Sequence, residues 1–323
     1  MARVDSALRV GYCMTPYHLL EALSFHDNLR PMIILAHFGD RYAPLLAEIS
    51  GLRVISIEKR REVLSELIDG REKFDFHFAT LWNRTALLYE RAALKSGGQV
   101  NIFDDGAGGF GATEGAGGFG GISTRWPSFL RKLAYVLIDG TQYCDHPSEK
   151  RFDPKRTKFH SVRPDLAPFP AKQIDLPALR GLLAGLGEHF LHLAPYRGMP
   201  VFFDTNDCDN NWYPFERKVE ILKSLLPDEP TLYLPHPGQR LSVVPHIPQL
   251  IDLSGKTYRW NELACFFLQP KVVYSTFSTA AFTLRYVFGM SFQNHFMHEE
   301  FYRRTGNRNF LISSNMRAYF AGI

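Results

Sequence analysis

Short apolar runs alternate along this chain with longer stretches in which apolar residues recur every three or four positions. In the first half, "LRVGYCM" (8–14), "PMIILAH" (31–37), "LRVISI" (52–57), "FDFHFAT" (74–80) and "QVNIF" (99–103) have the length and composition of buried strands. Between them, "HLLEALSF" and "NRTALLYERAALKSG" carry helical spacing. The rhythm returns in the second half. There "MPVFFDT", "TLYLP", "QLIDL" and "KVVYST" read as strands, and "YPFERKVEILKSLL", "WNELACFFL" and "STAAFTLRYVFG" as helices. Such alternation predicts parallel sheets with helices on both faces. A polar, proline-rich stretch from about Asp145 to Asp175 reads as an irregular connector. The fold class expected is α/β with two Rossmann-like domains, 1–175 and 176–323, facing a central cleft.

Length supports two cores, because single cores stop growing at roughly 250–300 residues and this chain has 323. A net charge of +4 is too mild for a dedicated nucleic-acid binder and compatible with anionic small molecules. The cysteines Cys13, Cys144, Cys208 and Cys265 are far apart and form no C-x-x-C. That argues against a zinc ribbon or disulfide framework and for a reducing cytoplasm. No signal peptide is read, and no apolar run approaches the ~18–20 residues of a membrane span.

The segment "DDGAGGFGATEGAGGFGG" (104–121) contains G-x-G-x-x-G twice. A dinucleotide fingerprint requires its glycines to open a helix and an acid about 20 residues further on. Here the first glycine motif runs into the second, no acid lies between Glu114 and Asp139, and no Gly-Lys-Ser/Thr follows for a phosphate loop. What stands out is the start of the segment. Asp104 and Asp105 follow a buried strand, where open α/β sheets place ligands, and adjacent carboxylates raise each other's pKa, as a general base near neutrality requires. The glycines after them suit either a mobile surface insertion or a lid that closes over a substrate.

Two more motifs join these carboxylates. "LYLPHPG" sets His236 between Pro235 and Pro237 at a strand's end, followed by Gly238. "KVVYSTFSTAAF" runs from a strand through Ser275, Ser278 and Thr279 into a helix, the hydroxyl-rich start of a phosphate site or an ordinary cap. The loop "FFDTNDCDNNW" adds Asp207-x-Asp209, which resembles a metal-binding D-x-D, and Trp212, either a core aromatic or a stacking surface for substrate. A D-x-D reading needs a different fold and a diphosphate donor, and the two-halved pattern speaks against it. "CDHPSEK" reads as a turn, and "NHFMHEE" as surface residues on a short helix, since its H-x-x-H spacing is not H-E-x-x-H.

The order D/E-D/E-G, then H-P, then S/T resembles the bacterial sialyltransferases of GT-B type. "GYCMTPYHLLEAL", with Thr15-Pro16-Tyr17 and then His18 where glutamine is expected, narrows the resemblance to glycosyltransferase family fifty-two, the lipooligosaccharide sialyltransferases. The resemblance implies a GT-B fold with an acceptor-side first domain and a CMP-donor-binding second one. It implies inverting transfer of N-acetylneuraminic acid, or a related nonulosonic acid, from its CMP conjugate to a hydroxyl of a surface glycan such as lipooligosaccharide or capsule. Carried over, Asp105, before Gly106, takes the acceptor's proton with Asp104 beside it. His236 contacts the departing phosphate as hydrogen-bond donor or general acid. Ser278 and Thr279, with Ser275, bind the same phosphate, and Pro237 and Gly238 shape that site. Asp209 or Asp207 is the alternative base, and Thr15, His18 and Trp212 are secondary candidates. No metal or other cofactor is implied; the partners are the CMP-sugar and an oligosaccharide acceptor that is free or lipid-linked. "RWPSFLRKLAYVLI", with Arg125, Arg131 and Lys132 among aromatics, admits peripheral contact with the inner leaflet or serves as a core helix. Alternatives on the same scaffold are CMP-Kdo, CMP-legionaminate, CMP-pseudaminate or UDP-hexose transfer, or a non-catalytic nucleotide-sugar-binding protein.

Overall fold

A computed structural model of the chain describes residues 7–37, 39–79, 84–103, 157–165, 170–276 and 278–306. The chain divides into two compact units, Met1–Ile174 and Asp175–Ile323. Each is built on a parallel sheet, so the expected α/β class with two parallel sheets is the class observed.

In the first unit the strands are β1 (Leu8–Cys13), β2 (Met32–Ala36), β3 (Leu52–Ser56), β4 (Phe74–Ala79), β5 (Val100–Phe103), β6 (Thr157–Ser161) and β7 (Lys172–Gln173). They lie in the order β3-β2-β1-β4-β5-β6-β7, and the chain reverses its direction of travel between β1 and β4. On one face Val10, Tyr12, Phe76, Phe78, Val100 and Ile102 pack with Tyr89 and Ala93 of the helix Arg84–Ser96. On the other lies the helix Pro16–Leu23, all of whose residues are buried. Its start follows the sequence: the Thr15 side chain caps the His18 amide, and Pro16 supplies a preset first turn. Gly11 lets it approach β1, because a Cβ there would lie 3.3 Å from that of Ala22.

The second unit has β8 (Val201–Phe203), β9 (Thr231–Leu234), β10 (Leu250–Asp252), β11 (Val272–Ser275) and β12 (Gln293–Phe296), in the order β10-β9-β8-β11-β12. The reversal here falls between β8 and β11. Ligands of such sheets bind outside the carboxyl ends of the strands at that reversal. No helix among the described residues is long and apolar enough to cross a membrane.

Two expectations are corrected. The connector after Asp145 is not irregular throughout, since β6 and β7 lie inside it and complete the first sheet. As strands near or at a sheet edge they need no continuous apolar run: "TKFHS" is mostly half-buried and "KQ" exposed. "NHFMHEE" is also not a surface helix. Its first residues belong to β12, and the helix begins at His298, which is 2% exposed. The ring of His298 stacks on Phe296 and approaches the carbonyl oxygen of Thr276 at 3.1 Å through Nδ1.

The first sheet also carries two imidazoles of lowered pKa, His77 buried and His160 half-buried. His77, on β4, has no hydrogen-bond partner for either ring nitrogen and packs 4.4 Å from the Phe25 ring. Burial, aided by His160 and Arg30, lowers its pKa to about 3. Burial likewise lowers His160, on β6, to about 4, with Lys172 and Lys158 adding to the effect. Both are neutral in the folded state. An unfolded histidine takes up a proton below about pH 6.5, so folding stability is complete above that value and declines as pH falls toward the folded pKa. Between pH 7 and pH 5 His77 alone removes about 2 kcal/mol. Urea denaturation at the two pH values should show the first unit losing stability in the wild type and losing less in His77→Leu.

Candidate functional site

The carboxyl ends of β8, β9, β10 and β11 carry the polar side chains of the second unit. Directly after β8, Asp204 and Asp207 are both 3% exposed. Lys218, on the helix Phe215–Leu225, reaches across to them. Its Nζ lies 2.7 Å from Asp204 Oδ1 and donates to the Thr205 carbonyl at 2.6 Å, with the side chains of the pair 2% and 0% exposed. Asp204 Oδ2 accepts from Tyr233 Oη at 2.8 Å and Gln239 Nε2 at 2.6 Å. Asp207 Oδ2 accepts three hydroxyls, from Thr205 at 2.7 Å, Tyr213 at 2.6 Å and Tyr302 at 2.7 Å. Burial first, then the adjacent carboxylates, pushes the pKa of Tyr213, Tyr302 and Tyr233 up, so all three stay protonated donors. The oxygens of two buried carboxylates are thereby met by one ammonium and a ring of neutral donors.

Above this cluster sits the His-Pro-Gly turn after β9. The Gln239 amide N–H closes it onto the His236 carbonyl at 2.8 Å. The Gly238 N–H donates to His236 Nδ1 at 3.2 Å. A ring nitrogen that accepts carries no proton, so neutral His236 holds its proton on Nε2, the nitrogen this bond leaves free. The residue is exposed to solvent, and partial desolvation, with Lys218, lowers the pKa of its imidazole against the raising pull of Asp207, Asp204 and Asp209. It is a neutral donor at pH 7. A side chain at Gly238 would meet ordinary contacts only, so its backbone N–H is what the turn uses.

Neighbouring loops are tied to this turn. Asp209 Oδ2 accepts from the Arg240 N–H at 3.0 Å. From the loop after β10, Arg259 Nη1 donates to the Pro237 carbonyl at 3.1 Å, and from the first residue of the helix that follows, Asn261 Nδ2 donates to that of Pro235 at 2.5 Å. Tyr258 and Arg259 both have left-handed backbone, with φ of 53° and 55°. Such residues cost on the order of 1–3 kcal/mol each and persist where their surroundings fix them. Arg259 is fixed by its bond to the His-Pro-Gly turn and Tyr258 meets the Phe190 ring edge-on at 5.7 Å, and the guanidinium keeps N–H groups beyond the one spent on Pro237.

At the reversal itself, Ser275 ends β11. Ser275 is 0% and Thr276 1% exposed, and neither Ser275 Oγ nor Thr276 Oγ1 has a hydrogen-bond partner. Unmatched buried hydroxyls are uncommon in folded proteins and mark a place where polar capacity is held for something else. Ser278 Oγ accepts from the Ala280 N–H at 3.1 Å, and the Thr279 carbonyl accepts from the Thr283 amide at 2.9 Å. Ser278 is thus engaged at the start of the short helix Ala280–Phe282, and both residues are half-buried.

Among solved structures, the GT-B domain of a sialyltransferase from Photobacterium damselae is similar to this chain, at 11% identity and a TM-score of 0.45, over 86% of this chain and 88% of that one. No protein-family model and no curated protein sequence matches it.

The structure joins His236, Pro237, Gly238, Asp207 and Asp209 through the carboxyl-end loops of one sheet, and Ser275, Ser278 and Thr279 stand at the reversal of that sheet. Asp207 and Asp209 do not behave alike. Asp207 is closed in by its three hydroxyls, whereas Asp209 is half-exposed beside the turn. No group of three metal-ligating side chains lies together among the described residues. Trp212 is 37% exposed, which rules out the core role and leaves its ring at the surface of the loop. Thr15 and His18 belong to the first unit. Thr15 is spent on its cap, and buried His18 accepts the Met14 N–H on Nδ1 at 3.2 Å while its ring meets Phe103 edge-on at 6.0 Å. Phe103 ends β5; Asp104, Asp105, Gly106, the glycine segment and the Arg125 stretch lie outside the described residues.

Sequence reasoning missed Asp204, Lys218, Gln239, Arg259 and Glu262. The last, in the first turn of the helix Asn261–Leu268, is 8% exposed, has no partner for Oε2, and is raised by burial to a pKa of about 7. A carboxylate following an apolar strand was a visible signal for Asp204. The others stand in unremarkable sequence and acquire meaning only from what they touch.

Removing one member of the ion pair should expose its cost. Lys218→Met leaves Asp204 charged and buried, which typically costs 3–5 kcal/mol, roughly. Urea denaturation should show the loss, and Lys218→Met with Asp204→Asn should recover part of it. A single-variant loss below about 1 kcal/mol would mean that the pair behaves like a solvated one.

Proposed function

We propose that this chain is a GT-B glycosyltransferase that transfers a nonulosonic acid, such as N-acetylneuraminic acid, from its CMP conjugate to a sugar hydroxyl with inversion. The observation that carries the reading is His236, held as a neutral Nε2–H donor on a His-Pro-Gly turn beside the reversal of a parallel sheet. Unspent hydroxyls of Ser275 and Thr276 stand at that same reversal.

The acceptor oxygen forms a bond to the anomeric carbon as the bond from that carbon to the phosphate oxygen breaks, and the bonding pair leaves on CMP. The acceptor's proton passes to Asp105, with Asp104 adjacent. Positive charge develops on the sugar ring and negative charge on the departing phosphate. A hydrogen-bond donor aimed at that phosphate favours the transition state more than the ground state. A phosphate monoester is a weak base, so a hydrogen bond from neutral His236 suffices and no imidazolium is needed. The Arg259 guanidinium, fixed on Pro237, adds a cation next to the same turn. A single phosphodiester leaves no pyrophosphate to clamp, so the reaction is expected to proceed in EDTA. The acceptor is a surface glycan, lipooligosaccharide or capsule, built at the cytoplasmic face of the membrane.

One second reading has an observation behind it. Because Asp209 is half-exposed beside the turn while Asp207 is sealed, Asp209 is the alternative to Asp105 as base. Variants separate the two. Asp105→Ala should abolish transfer and leave CMP binding nearly intact, with Asp209→Ala active; the opposite pair of results moves the base to Asp209. His236→Ala should lower both turnover and CMP affinity. Thermal shift should rise with CMP more than with UDP or NAD. A larger response to UDP favours a hexosyltransferase, and none at all a protein without a nucleotide site.

A further inference from the structure

The buried side of the His-Pro-Gly turn is held by one side chain. Gln239 is 7% exposed, and its carboxamide touches both ends of the turn. Oε1 accepts the His236 N–H at 3.0 Å, and Nε2 donates to the Leu241 carbonyl at 2.6 Å. The second Nε2 hydrogen goes to Asp204 Oδ2 at 2.6 Å, with Tyr233 Oη a further 3.0 Å neighbour. The amide cannot be reversed, since its oxygen would then face a carboxylate and a carbonyl with no hydrogen between them. Asp204 is in turn fixed by Lys218.

We propose that Gln239, anchored by the Asp204–Lys218 pair, is a positioning residue that sets the direction and tautomer of His236. By holding the His236 N–H and the Leu241 carbonyl, the carboxamide fixes the backbone between them. That backbone brings the Gly238 N–H onto Nδ1, and an occupied Nδ1 leaves the proton on Nε2. The chain of cause thus runs from a buried ammonium, through a carboxylate and an amide, to the nitrogen that faces the ligand. Each link is a bond of 3.2 Å or less. Loss of Gln239 also leaves Asp204 Oδ2 short of a donor, which is costly in a buried site.

The consequence for phosphate binding rests on the function proposed above; the tautomer does not. Charged groups around the imidazole are Asp204, Asp207 and Asp209 after β8, Lys218 on its helix, Arg240 in the turn and Arg259 after β10. None of these changes in Gln239→Leu, which removes the amide's bonds at similar volume. The test is nitrogen-15 NMR of histidine-labelled full-length protein, with His236→Gln to assign the signal, followed by calorimetric titration with CMP.

In the wild type the neutral ring of His236, above its titration, should give the Nε2–H pattern. In Gln239→Leu the signal should become a mixture of both tautomers, its pKa should rise toward the ordinary value as the Nδ1 bond is lost, and CMP should bind about tenfold more weakly. Gln239→Glu gives a second route if the leucine variant does not fold. It keeps the acceptor for the His236 N–H but confronts Asp204 with another carboxyl, so the Nε2–H pattern should hold while that carboxyl is protonated and fail once it ionises. An unchanged tautomer and unchanged pKa in folded Gln239→Leu, or a pH-independent pattern in Gln239→Glu, overturns the proposal. A tautomer that responds as stated in a protein that binds no CMP supports the positioning role and removes the function it was meant to serve.

Discussion

The second unit depends on one buried ion pair. Lys218 and Asp204 meet at the carboxyl end of β8 with almost no access to water, an arrangement whose desolvation costs several kcal/mol per ion and is repaid only by complete hydrogen bonding. Completion comes from four directions: the Thr205 backbone, Tyr233 on β9, Gln239 beyond it, and the helix that delivers Lys218. An apolar pair could fill the same space more cheaply. What an apolar pair cannot do is dictate which atom faces which, and the turn that carries His236 is fixed by that dictation.

Asp207 extends the same logic toward the end of the chain. Its three hydroxyl donors come from its own loop and from the helix His298–Thr305, so the last described helix is locked beneath the loop after β8. His298 reaches the Thr276 carbonyl from the same helix. The floor of the site is therefore drawn from segments about a hundred residues apart, while its upper surface is made of tight turns at strand ends. Rigid support below short loops is the arrangement expected where a ligand must be met by preset donors.

The strands were readable because parallel sheets covered on both faces bury their strands throughout, leaving runs such as "MIILA" and "TLYL". Where that condition fails the pattern fails: β7 at the sheet edge and β6 next to it are polar and passed for connector. The position of His236 at a strand end was equally visible, since two prolines and an apolar run frame it. Its tautomer was not, because that is decided by a backbone N–H two residues on and a glutamine three residues on. Asp207-x-Asp209 shows the opposite limit. Two acids at a fixed spacing look equivalent in sequence, and only the approach of Tyr213 and Tyr302 separates a sealed structural carboxylate from a half-exposed one.

The central claim is that the nucleotide's phosphate is met at the carboxyl edge of the second sheet by His236. A crystal structure of the protein with CMP measures this directly. The account predicts the phosphate within hydrogen-bonding distance of His236 Nε2, with hydroxyls of the Ser275–Thr279 segment as further partners. CMP held elsewhere, with His236 Nε2 facing solvent, would contradict it.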